Sequence, residues 1–370
     1  MQFKIFYEPD IAASTTATGR LLLTYAKRVV EECYNDTTIC TKDNSVVHVN
    51  AEYIYGDTDS VFFKFNLTDT QTGEKIVGKR SLEMTIEIAQ IATNTVSTFL
   101  KKPHDFEYEK TYLPFCLLSK KRYVAIKYEL DPTKGKRNEM GIVLKRRDNA
   151  PIVKDVYGGV IDILMKEQNI NKALEFVHKC LKELVEGSIS VDKLIITKSL
   201  RSFYKCPQSI AHKVLADRIG VREPGNKPTS GDRIAYVYFV NPLAKGKTKL
   251  LQGDKIETPA FIKEHNLPID YSFYISNQLM KPLSQLFGLV LKELWSIKPA
   301  KGTRQLGKIK SFDAAVDKIR TEWADDKKIE EKINKLKDKE VKAYIFDRYL
   351  IKMDNKKENN REITEFFRTT

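Results

Sequence analysis

Tyr53-Ile54-Tyr55-Gly56-Asp57-Thr58-Asp59-Ser60-Val61-Phe62-Phe63 places two acids at a tight bend between hydrophobic, β-prone runs. Val46–Val49, Glu52–Tyr55 and Ser60–Phe65 read as strands, with the bend at Gly56-Asp57-Thr58. In the last run Val61, Phe63 and Phe65 alternate with Ser60, Phe62 and Lys64. Both faces carry a bulky apolar group, so this strand is expected to be covered on both sides. Two residues apart, Asp57 and Asp59 are expected to point the same way. Carboxylates clustered in a packed hairpin are costly unless a cation neutralises them, and oxygen donors of this type suit Mg²⁺. The bland alternative is an Asx-rich turn in which Asp57 caps the bend and Asp59 is merely solvated.

Outward from this bend, the chain alternates helices and strands before turning helical. A long helix is expected from Ile11 to Tyr34 and a second from Ser81 to Leu100, with strands at Phe106–Leu118 and Arg122–Tyr128. Later helices are expected at Val153–Gln168, Asn171–Glu186 and Pro207–Ile219, the last stopped by Gly220. Short strands at Leu194–Thr197 and Ile234–Val240 interrupt them, and Asp313–Arg348 reads as a lysine-rich helical stretch. The fold class is α+β.

The chain of 370 residues carries 63 Lys and Arg against 49 acids, a net +14, which favours a polyanionic partner. Residues 101–151 hold thirteen bases against seven acids and form the candidate nucleic-acid face. No apolar run approaches the roughly 20 residues that span a bilayer, so no membrane partner is expected. Cys33, Cys40, Cys116, Cys180 and Cys206 are odd in number and widely spaced, which implies reduced thiols of an intracellular protein and neither a disulfide frame nor a zinc ribbon.

The bend with its flanks, Y-G-D-T-D-S, resembles motif C of the family B DNA polymerases, and other stretches match the same family in order. Phe106-Glu107-Tyr108-Glu109-Lys110 and Leu117-Leu118-Ser119-Lys120-Lys121-Arg122-Tyr123 resemble its acidic strand and K-K-R-Y motif. Gly141-Ile142-Val143-Leu144-Lys145-Arg146-Arg147-Asp148-Asn149-Ala150-Pro151 resembles the palm-to-thumb segment. Ile196-Thr197-Lys198-Ser199-Leu200, Gly231-Asp232-Arg233-Ile234 and Asn266-Leu267-Pro268-Ile269-Asp270 resemble thumb landmarks, and Asp10–Arg20 resembles the helix after motif B. The resemblance covers about 10–290 and is greatest to the delta-like and large-DNA-virus members.

That resemblance implies a partial palm, an antiparallel sheet with packed helices, over 1–151, a mainly helical thumb over 152–299 and a basic helical tail over 300–370. It implies nucleotidyl transfer from dNTP to a primer–template in DNA replication, with two Mg²⁺ ions. Asp59 is the expected direct ligand of both, Asp57 its outer partner, and Glu109 an auxiliary acid, unless Glu109 merely pairs with Lys110 or Arg122. Tyr55 and Thr58 are expected at the nucleotide. Lys120, Lys121, Arg122 and Tyr123 are expected along the primer–template groove, with Lys145, Arg146 and Arg147 on phosphates.

One departure matters. The family's motif A aspartate and motif B lysine and tyrosine are not in this sequence, so a complementing N-terminal polymerase fragment or subunit is expected to supply them, and the chain alone is expected to be inactive. A rival reading is a non-catalytic, polymerase-derived DNA-binding or scaffold subunit. At the far end, Asn360-Arg361-Glu362-Ile363-Thr364-Glu365-Phe366-Phe367 resembles a sliding-clamp box, with Ile363, Phe366 and Phe367 as the plug. The implied location is the nucleus or a viral replication site in a eukaryotic or viral setting, and the cytoplasm otherwise.

Overall fold

The computed structural model describes residues 8–145, 147–241, 250–297 and 303–358, and the chain divides into two compact units, Met1–Ile142 and Val143–Thr370. The first contains α1 (Pro9–Cys33), β1 (Thr37–Cys40), β2 (Val46–Val49), β3 (Glu52–Asp57), β4 (Ser60–Lys64), β5 (Thr68–Asp69), α2 (Gly78–Phe99), β6 (Thr111–Ser119), β7 (Arg122–Tyr128) and β8 (Lys136–Met140). These strands form three small antiparallel sheets, β1-β2-β5, β3-β4 and β6-β7-β8.

Periodicity explains the helices. The C-terminal half of α1 buries Ala26, Val29 and Val30, and α2 buries Met84, Ile88, Ala92 and Val96. With Tyr34, Val47, Val49, Phe65 and Leu67 they make the core of this unit. Its largest side chains each stabilise the fold by about 1.5–3 kcal/mol through burial.

The strands depart from expectation in three ways. The bend is one step later than expected, because Gly56 and Asp57 stay in β3 and pair with Val61 and Ser60, leaving Thr58-Asp59 as the turn. Strand β4 is half-buried rather than covered on both sides, since Val61, Phe62 and Phe63 line an open groove. Phe106–Lys110 forms no strand, and the sheet beyond it gains β8, whose polar Lys-Arg-Asn-Glu-Met sequence hides an edge strand.

The second unit comprises α3 (Pro151–Lys166), α4 (Ile170–Glu186), β9 (Ile196–Ser199), α5 (Ala211–Arg222), β10 (Arg233–Tyr238), β11 (Ile256–Glu257), α6 (Pro259–Glu264), α7 (Tyr271–Phe273), α8 (Met280–Phe287), α9 (Leu291–Ile297), α10 (Thr303–Glu322), α11 (Asp326–Val341) and α12 (Asp347–Glu358). A π-helical turn at Tyr274–Leu279 joins α7 to α8. Asn169 caps α4 by accepting from the Lys172 amide at 3.0 Å, and Gly187 ends it at φ +74°.

Tyr274, fully buried, donates its hydroxyl to the Leu194 carbonyl at 2.8 Å and accepts from the Tyr238 amide at 3.1 Å, tying the π-helical turn to β10 and to the segment before β9. Gly220 does not stop α5. The helix runs two residues further, to Arg222, whose guanidinium holds the buried Glu257 carboxylate at 2.7 Å. The lysine-rich stretch is three helices packed on this unit. Val341, Ile345 and Phe346 are fully buried, and the Tyr344 hydroxyl donates to the Leu294 carbonyl at 2.9 Å.

Among the described residues no helix is long and apolar enough to cross a membrane. All five cysteines are free, with Cys40 and Cys206 exposed and the others half-buried.

Candidate active site

The bend is the tip of a two-stranded hairpin, and its backbone is strained. Thr58 sits at φ +56°, in the left-handed region that a β-branched residue rarely occupies. The Asp59 amide donates back to the Asp57 carbonyl at 2.6 Å, so Thr58 is the centre of a tight three-residue turn. Strain of this kind costs about 1–3 kcal/mol and persists only where the surroundings over-determine it. Gly56 shows the crowding, since a Cβ there would lie 2.7 Å from the Tyr53 hydroxyl.

A second hairpin, β6–β7, supplies the over-determination. Its turn residues are Lys120 and Lys121, with Ser119 paired to Arg122. Lys121, at φ +61°, donates its amide to the Tyr55 hydroxyl at 2.7 Å. Its ammonium reaches Asp57 Oδ1 at 2.5 Å and Thr58 Oγ1 at 3.3 Å. Behind the turn, Gly141 adopts φ +61°, and a Cβ on it would fall 2.2 Å from the Lys121 carbonyl oxygen. Arg122 Nε donates to the Gly141 carbonyl at 3.3 Å, so the end of β8 clamps the basic turn.

Aromatic packing joins the two hairpins. Phe62 of β4 stacks on Tyr112 and Phe115 of β6 with ring centroids 5.8 and 5.7 Å apart, and meets Tyr55 and Tyr123 at 5.4 and 6.0 Å. Asn138 of β8 donates to the Tyr112 hydroxyl at 2.9 Å, and burial pushes the Tyr112 phenol well above its ordinary range. Tyr55 and Tyr123 are only 7% and 4% exposed, so their rings belong to this packing. Tyr123 packs against Phe115 with ring centroids 5.4 Å apart.

The two acids have different surroundings. The Lys121 hydrogen bond holds the Asp57 carboxyl below its ordinary value, aided by Thr58, the Lys121 charge and the Tyr55 hydroxyl. Lys121 is raised in return, first by that hydrogen bond and then by the charges of Asp57, Tyr55 and Asp59. Asp59 is exposed, makes no ion pair among the described residues and lines a groove of about 1090 Å³.

That groove runs between β4, the segment 105–117 and α2, so Glu109 lines it too. The Glu109 carboxylate pairs with the neighbouring Lys110, one of the alternatives open from sequence, and is 70% exposed on its side chain. Oxygen donors of this sort match hard cations. Among the described residues, however, no three His, Cys, Asp or Glu side chains gather into a metal cage. The donor set at the bend fits part of a cation site and falls short of a whole one.

The other expected site residues lie elsewhere. Lys120 is exposed on the basic turn. Arg147 is exposed in the second unit, where its carbonyl accepts from Thr197 Oγ1 and from Arg233, both at 3.2 Å. Lys145 belongs to a short 3₁₀ turn, Val143–Lys145. Arg146, Ile363, Phe366 and Phe367 lie outside the described residues. Sequence reasoning assigned Lys121 to DNA and missed that it pairs with Asp57. It also missed Gly141 as the clamp, for which a lone glycine after a short polar strand was the only local signal.

An acidic hairpin tip is thus held by a basic hairpin, on small antiparallel sheets backed by helices. The family model for DNA polymerase family B matches residues 2–290, and the chain belongs to that family. The chain is 46% identical over 365 residues to the DNA polymerase of Pyramimonas orientalis virus, covering 98% of this chain and 28% of that protein. It is 47% identical over 241 residues to the DNA polymerase of Acanthamoeba polyphaga mimivirus, covering 65% of this chain and 14% of that protein. With the DNA polymerase delta catalytic subunit of Candida albicans it shares 36% identity over 284 residues, 76% of this chain and 25% of that protein. The chain therefore spans between 14% and 28% of the length of these relatives.

Proposed function

We propose that this chain supplies the motif C portion of a palm, and the thumb, of a DNA-directed DNA polymerase acting in DNA replication. The observation that carries the proposal is the strained Asp57-Thr58-Asp59 tip set against Lys121. Asp59 presents an unpaired carboxylate to the groove, while Asp57 is fixed and kept ionised beside it. Asp57 and Asp59 would hold the Mg²⁺ ions, with Glu109 as an auxiliary acid on the same groove. Bound there, the ions would neutralise the triphosphate and activate the primer hydroxyl.

Two carboxylates are fewer than two shared ions require, so the remaining motif A acid comes from an N-terminal polymerase fragment or subunit. The groove supports this. Among the described residues β4 has an unpaired edge, and the strip of Val61, Phe62 and Phe63 beside it is half-exposed, which suits an added strand. Lys120, Lys121 and Arg122 would contact the primer–template, with Tyr55 and Tyr123 positioning them. Thr58, at the tip, would face the dNTP. Lys145, Arg146 and Arg147 would contact phosphates, and Ile363, Phe366 and Phe367 would engage a sliding clamp. The site of action would be the nucleus or a viral replication compartment.

The test is reconstitution. Mixed with an N-terminal part carrying motifs A and B, the chain should extend a primed template, and alone it should not. Asp59→Asn in the mixture should abolish extension while leaving DNA binding intact. If that variant extends as well as the parent, the chain is a scaffold and the catalytic proposal fails.

A further inference from the structure

The helices beyond residue 297 lie past the end of the family match at residue 290, yet the match to the Pyramimonas orientalis virus polymerase continues through 98% of the chain. They are firmly seated. Trp295 of α9 meets Phe312 of α10 edge-on at 5.5 Å with Lys308 over its ring, and the Tyr349 hydroxyl of α12 donates to the His178 carbonyl at 3.1 Å. Whatever α11 presents to solvent is therefore held in a fixed place on this unit.

Charge on α11 is segregated. Glu340 is turned toward α10, where it pairs with Lys308 at 3.2 Å, and Asp338 is turned toward Lys281 of α8. Lys328, Lys332, Lys335 and Lys339 recur at intervals of four, three and four residues, which puts all four on one stripe of the helix. Lys328, Lys335 and Lys339 are exposed, Lys332 is half-exposed, and none of the four makes an ion pair among the described residues. Glu331 flanks the stripe without pairing to any of them. At its N-terminal end the half-exposed Trp323 ring lies 4.2 Å from the Lys332 ammonium and 5.9 Å from that of Lys328.

Like charges at such spacing repel one another along the helix, a cost that a polyanion removes. The stripe is about 17 Å long at 1.5 Å per residue, a length over which duplex DNA carries about ten phosphate charges. Trp323 adds a flat, partly open face at one end of the row.

We propose that the stripe Lys328, Lys332, Lys335 and Lys339 of α11, with Trp323 at its end, is a phosphate-backbone contact for double-stranded DNA. The choice of DNA as the polyanion rests on the polymerase function proposed above. The contact supplies grip without sequence preference, and it is separate from the motif C hairpin.

The test uses the full chain and a short fluorescein-labelled duplex titrated by anisotropy between about 50 and 200 mM salt. With all four lysines changed to Gln, the log–log salt slope should become shallower by about 3 to 4, and affinity at the low-salt end should fall tenfold or more. The pair Lys335→Gln/Lys339→Gln should give about half that change in slope, and changing all four to Arg should preserve binding. Unchanged circular dichroism in these solvent-facing variants shows that the fold is kept.

Equal affinity and slope in parent and Gln variant would overturn the proposal and leave the polymerase assignment standing. Failure of the parent chain to bind duplex at all would overturn both. Loss of binding to phosphatidylserine–phosphatidylcholine vesicles with duplex binding unchanged would make the stripe a membrane contact and overturn it as well.

Discussion

The ammonium of Lys121 lies 2.5 Å from Oδ1 of Asp57, across two hairpins that share an aromatic core. A basic side chain expected on DNA is thereby also the group that fixes one of the two acids. Lys121→Met should raise the Asp57 carboxyl toward its ordinary value of 3.8, measured by carbon-detected NMR titration of the side chain. In the parent that group should titrate lower.

The sign of the pH effect follows. Asp57 is lowered, so the stability its pairing contributes is present above pH 3.8 and lost as pH falls through its folded value. Lys121 is raised, so its share is present below pH 10.5 and lost as pH climbs through its own folded value. Both side chains meet solvent, so the effect on global unfolding should be small. Thermal melts of parent and Lys121→Met should converge toward acid pH and separate near neutrality, and parallel curves across the acid range would rule out the linkage.

Gly141 gives a sharper outcome, because both its φ of +61° and the 2.2 Å approach of the Lys121 carbonyl oppose a side chain. Gly141→Ala should destabilise the protein by about 2–3 kcal/mol, beyond the ordinary glycine-to-alanine range, through strain and displacement of the basic turn. Denaturant melts measure the first. The second should appear as weaker duplex binding even where the protein remains folded.

Phe62 is the hub of the aromatic cluster but half-exposed on the groove, so Phe62→Ala should cost about 1.5–3 kcal/mol and loosen the registration of the two hairpins. Phe62→Leu, closer in volume, should cost less. Spectrophotometric titration should show the Tyr112 phenol moving down toward its ordinary value in the Ala variant, as water enters beside it.

The elements with a strong period were legible in the sequence. Helices α1, α2, α3 and α4 fall within a few residues of expectation because their buried positions recur at helical spacing. The bend was found but misplaced by a residue. Nothing local reveals that Gly56-Asp57 continues the ladder while Thr58 takes the positive φ. Strand β8 was invisible because Lys136–Met140 carries no apolar alternation and owes its form to pairing with β7. At the site, the two acids and the basic run were legible as chemistry. Their ion pair was not, since it joins residues 64 apart.

Glu257 offers the last test, this one of the second unit. Its side chain is 6% exposed, held by Arg222 at 2.7 Å and Arg218 at 3.2 Å, while Arg218 also donates to the Gly253 and Ile256 carbonyls. Glu257→Gln keeps the shape but leaves two guanidinium groups facing a neutral amide. Removing the carboxylate leaves both charges uncompensated, and because each arginine side chain is about a third exposed the cost should be about 1–3 kcal/mol. The loss should appear in denaturant melts. Because Arg222 also lies 4.2 Å over the Phe261 ring, Arg222→Met should cost less than Glu257→Gln: the Arg218 charge at 3.2 Å and the Thr258 amide at 3.0 Å still face the carboxylate, and the methionine stem keeps the contact with the ring. If Arg222→Met were the more damaging change, the carboxylate would not be the anchor, and the continuation of α5 past Gly220 would owe more to the Arg222–Phe261 stack than to Glu257.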